Sequence, residues 1–204
     1  MFTDRARTMT RGVVEPLAYA IGRVGLTPNG VTLIGMSLHV LVAALLALGY
    51  FAVGGALLFI ASGIDGLDGT LARLTGKTTP FGAFFDSTLD RISEVLTFLG
   101  LILYLDWRAV DPSTALYSPA LVYAAATGSL MVSYSRARAE GIGSSTKVGF
   151  MGRMERMALV VLGLVTGWIG PVLWAVVIGT WLTTAYRVYD VWRQSRPRGR
   201  DEQG

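Results

Sequence analysis

Three stretches of this 204-residue chain carry no charged side chain: residues 24–64, 112–135 and 157–186. A helix needs roughly 20 apolar residues to cross the hydrocarbon core of a bilayer. The first stretch therefore holds two crossings, joined by a tight turn near Gly49 to Gly55. The apolar runs are continuous rather than alternating, which selects helices over a closed barrel as the way to satisfy the backbone in lipid. The chain thus reads as an all-α integral membrane protein with six transmembrane helices, near residues 31–50, 52–73, 82–105, 116–138, 155–170 and 172–192. Residues 31–192 form the membrane domain, residues 1–30 lead into it, and residues 193–204 form a basic tail.

Composition closes several other routes. A hydrophobic content of 52% excludes a disordered chain and an ordinary soluble enzyme. Without cysteine there is no disulfide, thiolate metal site or cysteine nucleophile, and a single histidine excludes a multi-histidine cage. That histidine, His39, falls inside the first span and reads as a hydrogen-bonded packing residue.

The charges gather at one end of the second, third and fourth spans, as Asp65 and Asp68, Asp86 and Asp90, and Arg136 and Arg138. With both termini cytoplasmic, every lysine and arginine except Arg108 lies on the inner side, as the positive-inside rule requires of a cell-membrane protein. Upstream, Val13, Val14, Leu17, Ile21 and Val24 recur at helical spacing beside Arg7, Arg11 and Arg23, the pattern of a helix lying in the headgroup plane. The tail arginines Arg193, Arg196, Arg198 and Arg200 form a lipid-facing basic cluster. They lack the interleaved aromatic residues of a nucleic-acid surface, so no nucleic-acid partner is expected.

Residues 65–90 carry the chemistry. Asp65 and Asp68 stand at i and i+3, and Asp86 and Asp90 at i and i+4, so each pair shares a helix face. The loop near residues 74–81 is expected to make these helices antiparallel neighbours. Four carboxylates then repel unless they are protonated or hold cations. Oxygen-only donors suit one or two hard divalent ions such as Mg²⁺ or Mn²⁺. Gly66, Gly69 and Gly82 leave room for a bulky ligand, and Arg73 lies where it could clamp a phosphate oxygen. Two other readings are open on spacing alone. The acids could pair with Arg73 and Arg91 to hold the bundle together, or relay protons or cations in a small ion-coupled transporter.

The full string is Asp65-Gly66-x-Asp68-Gly69-x2-Ala72-Arg73-x8-Gly82-x3-Asp86-x3-Asp90. It resembles the signature of the CDP-alcohol phosphatidyltransferases, and the six spans and interfacial N-terminal helix are similar to that family over nearly the whole chain. The resemblance implies transfer of a phosphatidyl group from CDP-diacylglycerol to an alcohol, with release of CMP. It implies two divalent ions held by Asp65, Asp68, Asp86 and Asp90, with Asp90 also the general base. It further implies a donor-lipid pocket that includes Asn29, Thr32, Asp65, Gly69, Arg73, Thr79 and Gly82, and a homodimer. Apart from the resemblance, Asn29 reads as a helix cap after Pro28, and Thr79 to Gly82 as turn chemistry around Pro80.

For the acceptor, Ser133 to Glu140 and Gly152 to Arg156 look like the corresponding segments of bacterial phosphatidylinositol-phosphate synthases. By that likeness Ser133, Arg136, Arg156 and Arg187 bind the phosphate of inositol phosphate. Arginines at inner helix ends also snorkel and enforce topology. Met154 and Arg136 depart from the commoner pattern of that subgroup, which keeps glycerol 3-phosphate open as the acceptor of a phosphatidylglycerophosphate synthase. Gly163 and Gly167 make a small-xxx-small pattern that suits close helix contact, including contact between two copies.

Overall fold

The computed structural model describes residues 25–108 and 116–196, together with the single positions Pro16 and Tyr19. The apolar positions of the expected interfacial helix and the tail residues Arg198 and Arg200 lie outside the described residues. Among residues 25–108 and 116–196, six α-helices follow in order: α1 (Pro28–Ala47), α2 (Phe51–Leu74), α3 (Pro80–Trp107), α4 (Pro119–Gly141), α5 (Arg153–Thr166) and α6 (Ile169–Gln194).

Three of these helices start by one device. Thr27, Thr79 and Ser118 accept a hydrogen bond from the backbone N–H of Gly30, Gly82 and Leu121, and each is followed by proline at the first helical position. A hydroxyl cap satisfies an orphan amide, and proline there forfeits only a donor that has no intrahelical acceptor. Thr27, not Asn29, is therefore the cap of α1, which leaves the Asn29 amide for other work. Between α1 and α2 the chain reverses over Leu48 to Tyr50, where Gly49 adopts φ +87°, a conformation costly for any residue with a Cβ.

The helices close into a ring. α1 packs against both α2 and α3, α2 against α5, α5 against α6, α6 against α4, and α4 back against α3. The expectation that α2 and α3 pack as neighbours is thus corrected: they make no extended contact, and α1 sits against both. Gly100 supplies the physical reason. A Cβ there would lie 2.9 Å from the Ala43 Cα, so the bare glycine lets α3 approach the α1 backbone. The acids of α2 and α3 consequently face each other across a cleft.

Apolar side chains fill the end of the ring remote from the acids, where Val42, Leu46, Leu58, Phe98, Leu101, Leu173 and Val176 form one buried cluster. Between helices in lipid, apolar burial contributes little, so close packing and polar pairs decide association. At this end the Arg108 guanidinium donates to the Leu48 carbonyl at 2.7 Å, closing α3 onto the end of α1.

Among the described residues, α1, α2 and α6 are long and apolar enough to cross a membrane. α3 is long but carries Asp86, Asp90 and Arg91 in its first half and Glu94 just past its midpoint, and α4 ends in Arg136, Arg138 and Glu140. α5 has 14 residues, about 21 Å at 1.5 Å per residue. The Gly163/Gly167 pattern does not form one contact stripe. A Cβ on Gly163 would meet Val172 of α6 within the same chain, and Gly167 ends α5 at φ +78°.

Candidate active site

The first turns of α1 and α3 and the last turns of α2 surround a cavity of about 260 Å³. Its walls include Asn29 and Thr32 from α1, Asp68, Gly69 and Arg73 from α2, and Thr79, Gly82 and Asp86 from the start of α3. Two helix N-termini, neither carrying an acid in its first turn, adjoin one space. Orphan amides and the helix dipole make such ends receptive to anions. Arg73 folds back along α2, donating to the Thr70 hydroxyl at 3.0 Å, and so borders the same cavity. Gly82 keeps it open: a Cβ there would lie 3.1 Å from the Thr79 hydroxyl and 3.6 Å from the Asn29 amide oxygen.

Asp68 and Asp86 border both this cavity and the cleft that also holds Asp65 and Asp90. The Thr32 hydroxyl donates to Asp68 Oδ2 at 2.6 Å, which fixes α1 to the acid turn of α2. Asp65 Oδ2 accepts from His39 Nε2 at 3.1 Å and from an Arg153 nitrogen, Nη2, at 2.6 Å. The same Arg153 nitrogen reaches Asp90 Oδ1 at 2.9 Å, and Asp90 Oδ2 lies 3.3 Å from Arg91. Asp86 lies within electrostatic reach of Asp90, Asp68 and Asp65. The quartet shares one electrostatic environment, as its spacing predicted.

The donor chemistry fits hard divalent cations, because four carboxylates from two helices border one cleft within electrostatic reach of each other and the chain has no thiolate. Among the described residues, no three acidic or imidazole groups converge on one point as a ready-made cage. Arg153 holds Asp65 and Asp90 through one nitrogen and supplies the counter-charge in this conformation.

Behind this pair runs a second one. Glu94 lies one turn beyond Asp90 on α3, and Arg156 one turn beyond Arg153 on α5. Their side chains are 1% and 0% exposed and form a two-pronged bond, Nε to Oε1 at 2.7 Å and Nη2 to Oε2 at 2.9 Å. The remaining terminal nitrogen of Arg156 donates to the Met151 carbonyl at 3.1 Å. Two arginine rungs therefore join α5 to α3 across the interior of the ring.

Of the residues expected at an acceptor site, Arg136 is exposed and pairs with Glu140 at 3.0 Å on its own helix. Arg187 is buried and donates to the carbonyls of Val148 and Val132. Ser133 donates to the Ser129 carbonyl at 3.4 Å, which leaves its hydroxyl oxygen able to accept. Arg136 and Arg156 both lie within electrostatic reach of Arg187. The three cations are thus near one another, but the Arg156 fork is fully committed to Glu94 and Met151. Direct contact between Arg156 and an acceptor would break a buried pair at a cost of about 3–5 kcal/mol.

The model of the CDP-alcohol phosphatidyltransferase domain matches residues 25–186. The chain belongs to this family. It is 32% identical to the archaetidylinositol phosphate synthase of Pyrococcus horikoshii, over 92% of this chain and 95% of that one. It is 33% identical to the phosphatidylinositol phosphate synthase of Mycobacteroides abscessus, over 88% of this chain and 83% of that one. The crystal structure of the Mycobacterium tuberculosis phosphatidylinositol phosphate synthase with CDP-DAG bound superposes with a TM-score of 0.80 at 30% identity, covering 94% of this chain and 98% of that one. A structure of the same M. tuberculosis enzyme in complex with manganese and citrate gives 0.81 at 30% identity, with 94% of each chain covered. The protein is accordingly a metal-dependent CDP-alcohol phosphatidyltransferase, and the transporter reading gives way to an enzyme.

For this phosphatidyltransferase, six of the seven expected donor-lipid residues line the cavity, and the seventh, Asp65, stands deeper in the cleft with His39 and Arg153. Arg153, Glu94 and the cavity residue Lys77 had no expected part in the site. A signal for the first two exists in the spacing. Asp90 and Glu94 at i, i+4 face Arg153 and Arg156 at i, i+3, two acids and two bases at matching helical intervals. His39 is hydrogen-bonded and buried as expected, and its partner proves to be an acid of the site.

Proposed function

We propose that this phosphatidyltransferase moves a phosphatidyl group from CDP-diacylglycerol to inositol phosphate, releasing CMP and forming phosphatidylinositol phosphate. The observation that carries the reading is the single cavity shared by Asn29, Thr32, Arg73, Thr79 and Gly82, which opens onto Asp68 and Asp86. Arg73 and the amide ends of α1 and α3 hold the donor's diphosphate, and Asn29 and Thr79 border its nucleotide. Asp65, Asp68, Asp86 and Asp90 would hold two divalent ions, Mg²⁺ or Mn²⁺, whose Lewis acidity neutralises charge on the diphosphate when bound. The related synthase crystallised with manganese supports this assignment.

Asp90 takes the proton from the acceptor hydroxyl as that oxygen bonds to the lipid-linked phosphorus and the bond from phosphorus to the CMP oxygen breaks. Ser133, Arg136 and Arg187 receive the acceptor's phosphate, while Arg156, keyed to Glu94, supports them from behind. Relatives that are inositol-phosphate-lipid synthases support the choice of acceptor. The topology belongs to the same proposal: all six helices cross the membrane, both termini and the active site are cytoplasmic, and two copies pair as a homodimer.

The test supplies purified protein and Mg²⁺ with CDP-diacylglycerol and, separately, inositol phosphate, free inositol or glycerol 3-phosphate, while CMP and lipid product are followed. Lipid product is expected with inositol phosphate. Product with glycerol 3-phosphate and none with inositol phosphate would overturn the acceptor. Turnover only with an ether-linked archaeal CDP-lipid would overturn the donor.

A further inference from the structure

Two arginines one helical turn apart on α5 are held in opposite ways. Arg156 is fully buried, grips Glu94 with a parallel fork and places its third nitrogen on a carbonyl. Arg153 keeps 21% of its side chain exposed, donates one hydrogen bond to the pair, from Nη2 to Asp65 at 2.6 Å, and lies 2.9 Å from Asp90 through the same nitrogen. Its Nε is buried and finds no hydrogen-bond partner among the described residues. A fork gains geometric specificity as well as energy, whereas two acids sharing one nitrogen at 2.6 and 2.9 Å use only part of the guanidinium. Arg156 is built as a fixed strut. Arg153 is built as a contact that can be exchanged.

The geometry points to Arg153 as an internal counter-cation: it holds Asp65 and Asp90 together in the ion-free enzyme and surrenders them when divalent ions bind. The inference rests on the reading that the four aspartates hold such ions. Asp65 and Asp90 come from different helices that make no extended contact, so like-charged carboxylates would push the cleft open unless a cation lies between them. Arg153 is that cation, anchored beside the permanent Glu94–Arg156 rung. A divalent ion competes for the same oxygens with twice the charge. The exchange releases the guanidinium toward the exposed side of the cleft, so the acids remain neutralised throughout.

The test uses the full chain in detergent, with Arg153→Gln and Arg153→Lys. Mn²⁺ binding is followed by the loss of the free-ion electron paramagnetic resonance signal, and thermal unfolding is recorded with chelator and with saturating Mn²⁺. Arg153→Gln, having lost the competitor, is expected to bind Mn²⁺ roughly tenfold more tightly. It should unfold at lower temperature than wild type in chelator and at nearly the wild-type temperature with Mn²⁺. Arg153→Lys returns one positive nitrogen to the gap and is expected to restore wild-type affinity and ion-free stability. Unchanged or weaker Mn²⁺ binding by Arg153→Gln, with equal loss of stability in both conditions, would overturn the inference and leave Arg153 a structural residue. Failure of the wild type to bind Mn²⁺ would instead remove the metal reading beneath it. If Arg153→Gln does not fold, the Arg153 side-chain ¹⁵Nε resonance of wild type is followed through a Mg²⁺ titration. A shift that saturates with Mg²⁺ supports exchange, and an unmoved signal refutes it.

Discussion

The α1–α3 side of the ring and the α4–α6 side use polar residues differently. On the first side, Asn29 and Arg73 border open space with polar groups available to a ligand, and the bare Gly82 keeps that space clear. On the second, Arg156 is buried with all three nitrogens bonded, and Arg187 is buried with two of its three on backbone carbonyls, which leaves one terminal nitrogen without a partner among the described residues. A side chain that serves a ligand is left incompletely satisfied by the protein, whereas one that serves the fold is not. By that measure the donor side is prepared for a guest. On the acceptor side, the exposed Arg136 is the cation best placed to receive one.

The largest effect that would break this contrast is Glu94→Ala. It strands the Arg156 charge in the interior and should cost about 3–5 kcal/mol of stability, read by unfolding in detergent. A loss below about 1 kcal/mol, the range of exposed pairs, would show Arg156 available to the acceptor after all. Next, Asp90→Asn removes the proton acceptor and should lower turnover by at least roughly a hundredfold, while the protein still binds CDP-diacylglycerol. Single-turnover CMP release checks this. Arg73→Ala deletes a phosphate contact from the donor side. It should raise the KM for CDP-lipid by roughly ten- to a hundredfold, the worth of a hydrogen bond from a charged group, and leave the KM of the acceptor nearly unchanged. The smallest change in stability is expected for Arg136→Ala, within about 0.5 kcal/mol because its pair with Glu140 is exposed. That variant sharpens the comparison if it raises the acceptor KM roughly tenfold and spares the donor.

The same contrast explains what the sequence made legible. Helix positions were readable because the breaks in hydrophobic pattern coincide with Thr-Pro and Ser-Pro starts and with Gly49. The cavity walls on α2 and α3 were readable because the family motif keeps a fixed spacing over residues 65–90. The packing order was not. The close approach of α3 to α1 rests on one small residue, Gly100, against the Ala43 backbone, which the hydrophobic pattern does not mark. Arginine partners were only half legible: the matching intervals of Asp90 and Glu94 with Arg153 and Arg156 stand in the sequence, but a guanidinium at a helix end also suits a phosphate or a headgroup, and the fold selects the carboxylates. Asn29 illustrates the same limit at short range: both it and Thr27 are able caps, and the backbone chose Thr27.

The central claim is that the acids between α2 and α3 act on a nucleotide-activated lipid by holding divalent ions. Its most direct measurement is CMP release from CDP-diacylglycerol and inositol phosphate, in chelator and after return of Mg²⁺ or Mn²⁺, for wild type beside Asp86→Asn. The account predicts no CMP in chelator, recovery of the wild type on adding the ion, and little recovery of the variant. Undiminished CMP release in chelator, or wild-type activity in Asp86→Asn, would contradict it.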